Sequence, residues 1–191
     1  MFKDLILKNR SYRRFYEDAP VTLDTLKELV ELARLSPSGG NRQSLKFLLS
    51  AGENNDAIFE TLGWAGYLEG WDGPVPGERP AAYIVILNDK DISGGGEVNA
   101  GIAATGILLG AVEIGLGGCM FGSVDRKKLA AAFSLPGNIE VILVIALGKP
   151  KETVVLEDVG PDGDIKYWRD ENQVHHVPKR SLEDILYTPK P

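Results

Sequence analysis

Ala81-Ala82-Tyr83-Ile84-Val85-Ile86-Leu87 is apolar along its whole length, with aromatic and β-branched residues from Tyr83 to Ile86. Such residues favour the extended backbone, and with no polar position left to face water the run reads as a strand covered on both faces, central in its sheet. Glu140-Val141-Ile142-Leu143-Val144-Ile145-Ala146-Leu147 predicts a second buried strand, and Phe47-Leu48-Leu49-Ser50 a third. Between the two long runs the sequence predicts a small-residue helix from about Glu97 to Ile114, a glycine-rich stretch and a helix near Asp125 to Phe133. Its longest apolar segment, Ala100 to Val112, is too short to span a bilayer and reads as a buried helix. Strands alternating with helices indicate an α/β layered domain.

Upstream, Leu26, Leu29, Val30 and Ala33 recur at three- and four-residue spacing opposite Asp24, Lys27, Glu28 and Glu31, which predicts an amphipathic helix with Thr22 as its N-cap. It stops at Ser36-Pro37-Ser38-Gly39-Gly40-Asn41, where Pro37 disfavours a helical Ser36 and two glycines let the backbone approach a ligand. Trp64 to Arg79 is a long irregular segment, of the kind that forms a lid or wall of a site or is anchored to the core by its aromatics. Its Tyr67 and Trp71 are candidates for the substrate side.

The 191 residues, 43% of them apolar, suffice for one domain spanning 1–191. After Pro150 the chain turns polar, so residues 151–191 cannot build a core and must wrap around this subunit or a partner. Ile165 to Arg169 reads as a short strand within that extension. A formal charge of −6 repels nucleic acid. The first residues carry Lys3, Asp4 and Lys8 around a brief apolar run, unlike a secretory signal, so a cytoplasmic protein without membrane association is expected. The single cysteine, Cys119, reads as a small core residue.

Against this acidic background, Asn9-Arg10-Ser11-Tyr12-Arg13-Arg14-Phe15 and the distant Val177-Pro178-Lys179-Arg180 concentrate positive charge. Arg10 and Arg13 can fork around phosphate oxygens, Ser11 adds a hydroxyl, and Lys179 or Arg180 a further charge. A small phosphorylated ligand suits such a pocket. Adjacent His175 and His176 lack a metal-ligand pattern and read as surface or interface residues. No nucleophile–histidine–acid set or paired carboxylates stand out.

These elements, in this order, resemble the FMN-dependent nitroreductase family over nearly the entire chain. The motifs are Arg10-Ser11-Tyr12-Arg13, Pro37-Ser38-Gly39-Gly40-Asn41-Arg42-Gln43, the Gly101-Ile102-Ala103-Ala104 helix, Gly115 to Gly122, and Leu147-Gly148-Lys149-Pro150. The family usually follows its Gln with Pro and Trp, where this chain has Ser44 and Leu45. The resemblance implies an α+β fold, a three-layer sandwich with a mainly antiparallel central sheet, and a homodimer with exchanged C-terminal tails. It implies FMN as cofactor and NAD(P)H as electron donor, with a nitroaromatic, quinone or activated alkene as acceptor. Same-family chemistry such as dehalogenation or flavin cleavage, and a non-catalytic FMN-binding protein, are the alternatives. The residues it assigns to the cofactor are Arg10, Ser11, Tyr12, Arg13, Pro37, Ser38, Asn41, Gln43, Met120, Phe121, Gly122 and Lys179 or Arg180. The 37–43 loop would approach the flavin from the neighbouring subunit.

Overall fold

Two hydrophobic clusters explain why residues 81–87 need no polar position. The computed structural model describes residues 1–189, and in it the 81–87 run belongs to strand β3 (Ala82–Asp89). Ala82, Ile84 and Ile86 point to one face, where they pack with helices α2 (Leu23–Leu35) and α4 (Glu97–Glu113). Tyr83, Val85 and Leu87 point to the other, toward Ile58 of α3 (Asn55–Phe59) and Leu129 of α5 (Arg126–Ala132). Alternation of side chains across a strand therefore serves two cores at once.

β3 pairs antiparallel with β2 (Leu45–Ser50) on one side and with β5 (Ile139–Pro150) on the other. β5 also pairs antiparallel with β4 (Gly117–Phe121) and with β1 (Phe15–Tyr16). A register shift between Ile86 and Leu87 inserts one residue of β5, so the consecutive Ile142 and Leu143 both pack on the α2–α4 side while Val141 and Val144 face the other cluster. The fold is thus α+β, with an antiparallel sheet between helical layers. It opens with α1 (Phe2–Lys8).

Thr22 caps α2 as expected, its Oγ1 accepting from the Thr25 amide at 3.1 Å. α2 and α4 meet closely at Gly110, where a Cβ would lie 2.3 Å from Leu32 Cδ1. Val98 and Ile102 remain exposed on α4, which is apolar around much of its circumference. Among the described residues no helix is long and apolar enough to cross a membrane.

The tail builds a second, smaller sheet, in which β8 (His175–Lys179) lies between β6 (Val154–Asp158), parallel, and β7 (Trp168–Arg169), antiparallel. Only two residues of the expected 165–169 strand are extended in a ladder. Asp162 and Asp164 accept amide hydrogen bonds from Asp164 and Lys166, holding the preceding residues in turns. Within the one chain this sheet docks on the segment after α1. Short helix α6 (Leu182–Ile185) follows, capped by Ser181.

Candidate functional site

Residues 10–14 leave α1 along the edge of β4. Ser11 bridges to Gly118 in parallel, and the Tyr12 amide donates to the Gly118 carbonyl at 3.0 Å. Gly118 permits this close layering, because a Cβ there would lie 2.5 Å from the Ala146 carbonyl oxygen and 2.7 Å from Leu108 Cδ2. From below, Glu152 fixes the segment. One of its oxygens accepts from the amides of both Arg13 and Arg14, while the other accepts from Arg169 Nη2 at 2.9 Å. The Glu152 and Arg169 side chains are 1% and 9% exposed, so this ion pair is buried.

Above that support lies a hollow of about 270 Å³ bordered by Arg10, Ser11, Arg13, Tyr167, His175 and Lys179, among others. No carboxylate is among the described residues that line it. Arg10 Nη2 donates to the Ile6 carbonyl at 2.7 Å, its Nε is buried with no hydrogen-bond partner, and burial holds the guanidinium below its ordinary pKa. Arg13 Nη1 lies 3.3 Å from the Ser11 carbonyl oxygen and 3.3 Å from His175 Nε2, with its guanidinium over the Tyr167 ring. Three cationic side chains bordering a hollow that no carboxylate lines favour an anion.

Of the two basic residues at the end of the chain, Lys179 reaches this hollow. It shares a face of β8 with His175 and Val177, whereas Arg180 lies beyond the strand and outside the lining. Tyr12 is also outside. Its ring fills the space a Gly117 side chain would need, and its hydroxyl donates to the Lys8 carbonyl at 3.1 Å.

Arg13 and Tyr167 also border an adjoining hollow of about 190 Å³, formed by Gly63, Ala65, Gly66 and by Cys119 to Ser123. Met120 and Gly122 are exposed there. Phe121 faces the opposite way, packing edge-on against Trp64 with 4.7 Å between centroids, so it offers the hollow its backbone. Burial pushes the Cys119 thiol up, which keeps it a packing residue.

The 37–43 loop is elsewhere. Pro37, Ser38 and Gln43 border a separate cavity of about 430 Å³ between α2, β2 and α4, while Asn41 is exposed beside it. The Gly39 amide donates to Asn99 Oδ1 at 2.9 Å, near the start of α4. Gly118 instead packs by Leu108, nine residues along that helix, a separation of about 13 Å. Asn41 and Gln43 both hold φ at 52°, a conformation costly for non-glycine residues and concentrated at functional loops.

Tyr67 and Trp71 border neither hollow. Tyr67 lies 5.0 Å from Tyr167, ring to ring, and Trp71 packs edge-on against Trp64 with the Arg169 guanidinium over its face. They join the 64–79 segment to the tail, and Trp64 anchors that segment to the core. His175 corrects an expectation: it is 1% exposed, not a surface residue, because it alternates inward with Val177 and Lys179. Burial and the neighbouring cations Arg13 and Arg169, then His176, hold its imidazole down at about 4. Tyr167 and Glu152 were not singled out in the sequence at all; neither sits in a motif, and only tertiary folding brings them here.

A helix-backed antiparallel sheet with a cationic hollow beside a glycine-rich strand defines a class, and the sequence assigns it. The nitroreductase family model matches residues 6–66 and 68–149, and the chain belongs to the nitroreductase family. It is an oxidoreductase enzyme of that family. A curated protein of Archaeoglobus fulgidus, "Putative NADH dehydrogenase/NAD(P)H nitroreductase", is 27% identical over 157 residues, 78% of this chain and 84% of its own. A nitroreductase family protein of Streptococcus pneumoniae TIGR4 superposes with a TM-score of 0.72 over 99% of this chain and 100% of its own, at 16% identity. An FMN-dependent nitroreductase of Clostridium difficile R20291 superposes with a TM-score of 0.61 over 78% and 87%, at 24% identity. At these identities the two structures speak to the fold.

Proposed function

We propose that the protein uses FMN to carry a hydride from NAD(P)H to a small acceptor such as a nitroaromatic, a quinone or an activated alkene. The observation that carries this reading is the pair of adjoining hollows sharing Arg13 and Tyr167, one cationic and one walled by glycine-rich backbone. The donor set fits the phosphate of such a group, and the unpartnered Arg10 Nε and His175 Nδ1 mark polar capacity that the chain itself leaves unused. Bound FMN would supply hydride acceptance and electron delivery, chemistry that no side chain here offers.

The residues' own tasks are holding and positioning. Arg10, Ser11, Arg13 and Lys179 would neutralise the phosphate, and the backbone from Met120 to Gly122 would face the ring system. Donors held rigidly by the β4–β5 ladder would meet negative charge as it develops on the ring without reorganising. Pro37, Ser38, Asn41 and Gln43 would come from a second copy, a reading supported by their distance from the cradle and by exposed Val98 and Ile102 on α4. A homodimer burying that face would complete the site; the expected exchange of the C-terminal tail is not proposed, since the tail sheet closes the cradle on its own chain's residues 10–14.

The test is a visible spectrum after FMN addition and desalting, followed by anaerobic titration with NADH and NADPH. Retained flavin that bleaches with either nucleotide supports the reductase. Retained flavin that stays oxidised with both points to an FMN-binding protein of other purpose, and no retained flavin overturns the reading.

A further inference from the structure

Among the cradle residues outside the Arg10–Arg13 motif, His175 is the one buried imidazole. It is almost wholly buried, borders the cationic hollow, and approaches Arg13 Nη1 with its Nε2 at 3.3 Å. A guanidinium only donates, so Nε2 must be the unprotonated acceptor and the ring proton sits on Nδ1, which is buried without a partner. Charged and titratable groups surround the ring from every side. Arg10 and Arg13 come from the segment after α1, Tyr167 and Arg169 from β7 and the residue before it, and His176 and Lys179 from β8 itself; Glu152, before β6, pairs with Arg169.

Burial, then the surrounding cations Arg13 and Arg169, hold the imidazole down at about 4. A phosphate dianion reverses that balance.

We propose that His175 is a proton-linked phosphate ligand. A phosphate entering between Arg13 and His175 replaces their mutual contact, Nε2 takes a proton from solvent, and the imidazolium donates to a phosphate oxygen beside Arg13. One N–H bond forms with a proton drawn from solvent, and no other covalent bond changes. The proposal rests on the FMN reading for its natural ligand, but its chemistry is that of any phosphate monoester. Because the bound state holds more protons, affinity rises as pH falls toward the ligand's own second ionisation near about 6.

The test compares wild type with H175Q between pH 6.5 and 8.5, using FMN, riboflavin and inorganic phosphate. Flavin fluorescence gives Kd, and calorimetry in buffers of different ionisation enthalpy gives protons taken up. Wild type should bind FMN up to about tenfold more weakly for each unit of rising pH and take up about half a proton more than H175Q near neutrality. Riboflavin, lacking the phosphate, should show neither effect. Equal slopes and equal proton uptake in the two proteins, with FMN still bound, would overturn the proposal.

A ¹⁵N imidazole titration decides the matter where H175Q folds poorly or FMN does not bind. The chain has two histidines, which keeps the spectrum simple. Saturating inorganic phosphate should convert the His175 signal to imidazolium near pH 7, and an unchanged neutral signal would refute the linkage. Absence of FMN binding with the imidazolium still formed would instead remove the FMN reading and leave the phosphate site standing.

Discussion

Replacing Glu152 by Gln removes one charge and almost no volume at the joint between tail and cradle. The amide oxygen can still accept from Arg13 and Arg14, so the backbone contacts survive. The new amide nitrogen, however, faces Arg169 Nη2, donor against donor, and leaves a guanidinium that is 9% exposed without its counter-charge. Breaking a buried pair on one side costs about 3–5 kcal/mol, and the lower figure applies because Arg169 also lies over the Trp71 face. For a domain of this length the unfolding entropy is about 0.4 kcal/mol/K, so a 3 kcal/mol loss lowers Tm by about 7 °C. Differential scanning calorimetry reads the shift, and hydrogen exchange of β7 and β8 locates it. Adding Arg169→Met to E152Q should recover part of the loss, since no orphan cation remains. A Tm within about 2 °C of wild type for E152Q, with unchanged exchange in the tail, would refute the reasoning that this pair holds the tail down.

R10A and R13A should each weaken FMN retention by about 10- to 150-fold, the equivalent of one charge-assisted contact of about 1.5–3 kcal/mol, measured by flavin fluorescence on desalted protein; full occupancy in both would remove the phosphate assignment. G118A forces a methyl toward the Ala146 carbonyl, a backbone atom, and should cost about 1–3 kcal/mol in urea unfolding. Stability of the flavin-free protein should fall in two acid stages. His175 is depressed from 6.5 to about 4, so its neutral-state contribution is present above pH 6.5 and lost as pH drops toward 4. Glu78, held at about 2 by hydrogen bonds from Arg14 and Lys151, loses its contribution between about pH 4.5 and 2; H175Q should flatten the first stage and E78Q the second.

Legibility in the sequence followed the range of the interaction. The 81–87 and 140–147 runs were readable as buried strands because burial on both faces leaves a compositional trace at every position. Thr22 was readable as a cap because its hydrogen bond closes over three residues. That Arg10, Ser11 and Arg13 share one hollow was readable, because their motif is local. Tyr12, inside the same motif, turned out to pack on Gly117, since consecutive residues of an extended segment face opposite ways. His175 was read as a surface or interface residue, because two adjacent histidines carry no sign of which one alternates inward.

By itself the sequence determined the long central elements β2, β3, β5, α2, α4 and α5, the layered core and the cationic motif, all set by propensity, periodicity and short-range hydrogen bonding. Only the tertiary structure decided that Lys179 rather than Arg180 reaches the hollow, that Tyr167 lines it with Glu152 bracing the segment beneath, and that the 37–43 loop lies near the start of α4, away from it. The outcomes at 150–180 depend on the register of the tail sheet, in which β8 pairs with β6 and β7. A shift of one residue there would turn every inward side chain outward, and nothing local to residues 150–180 records which register wins.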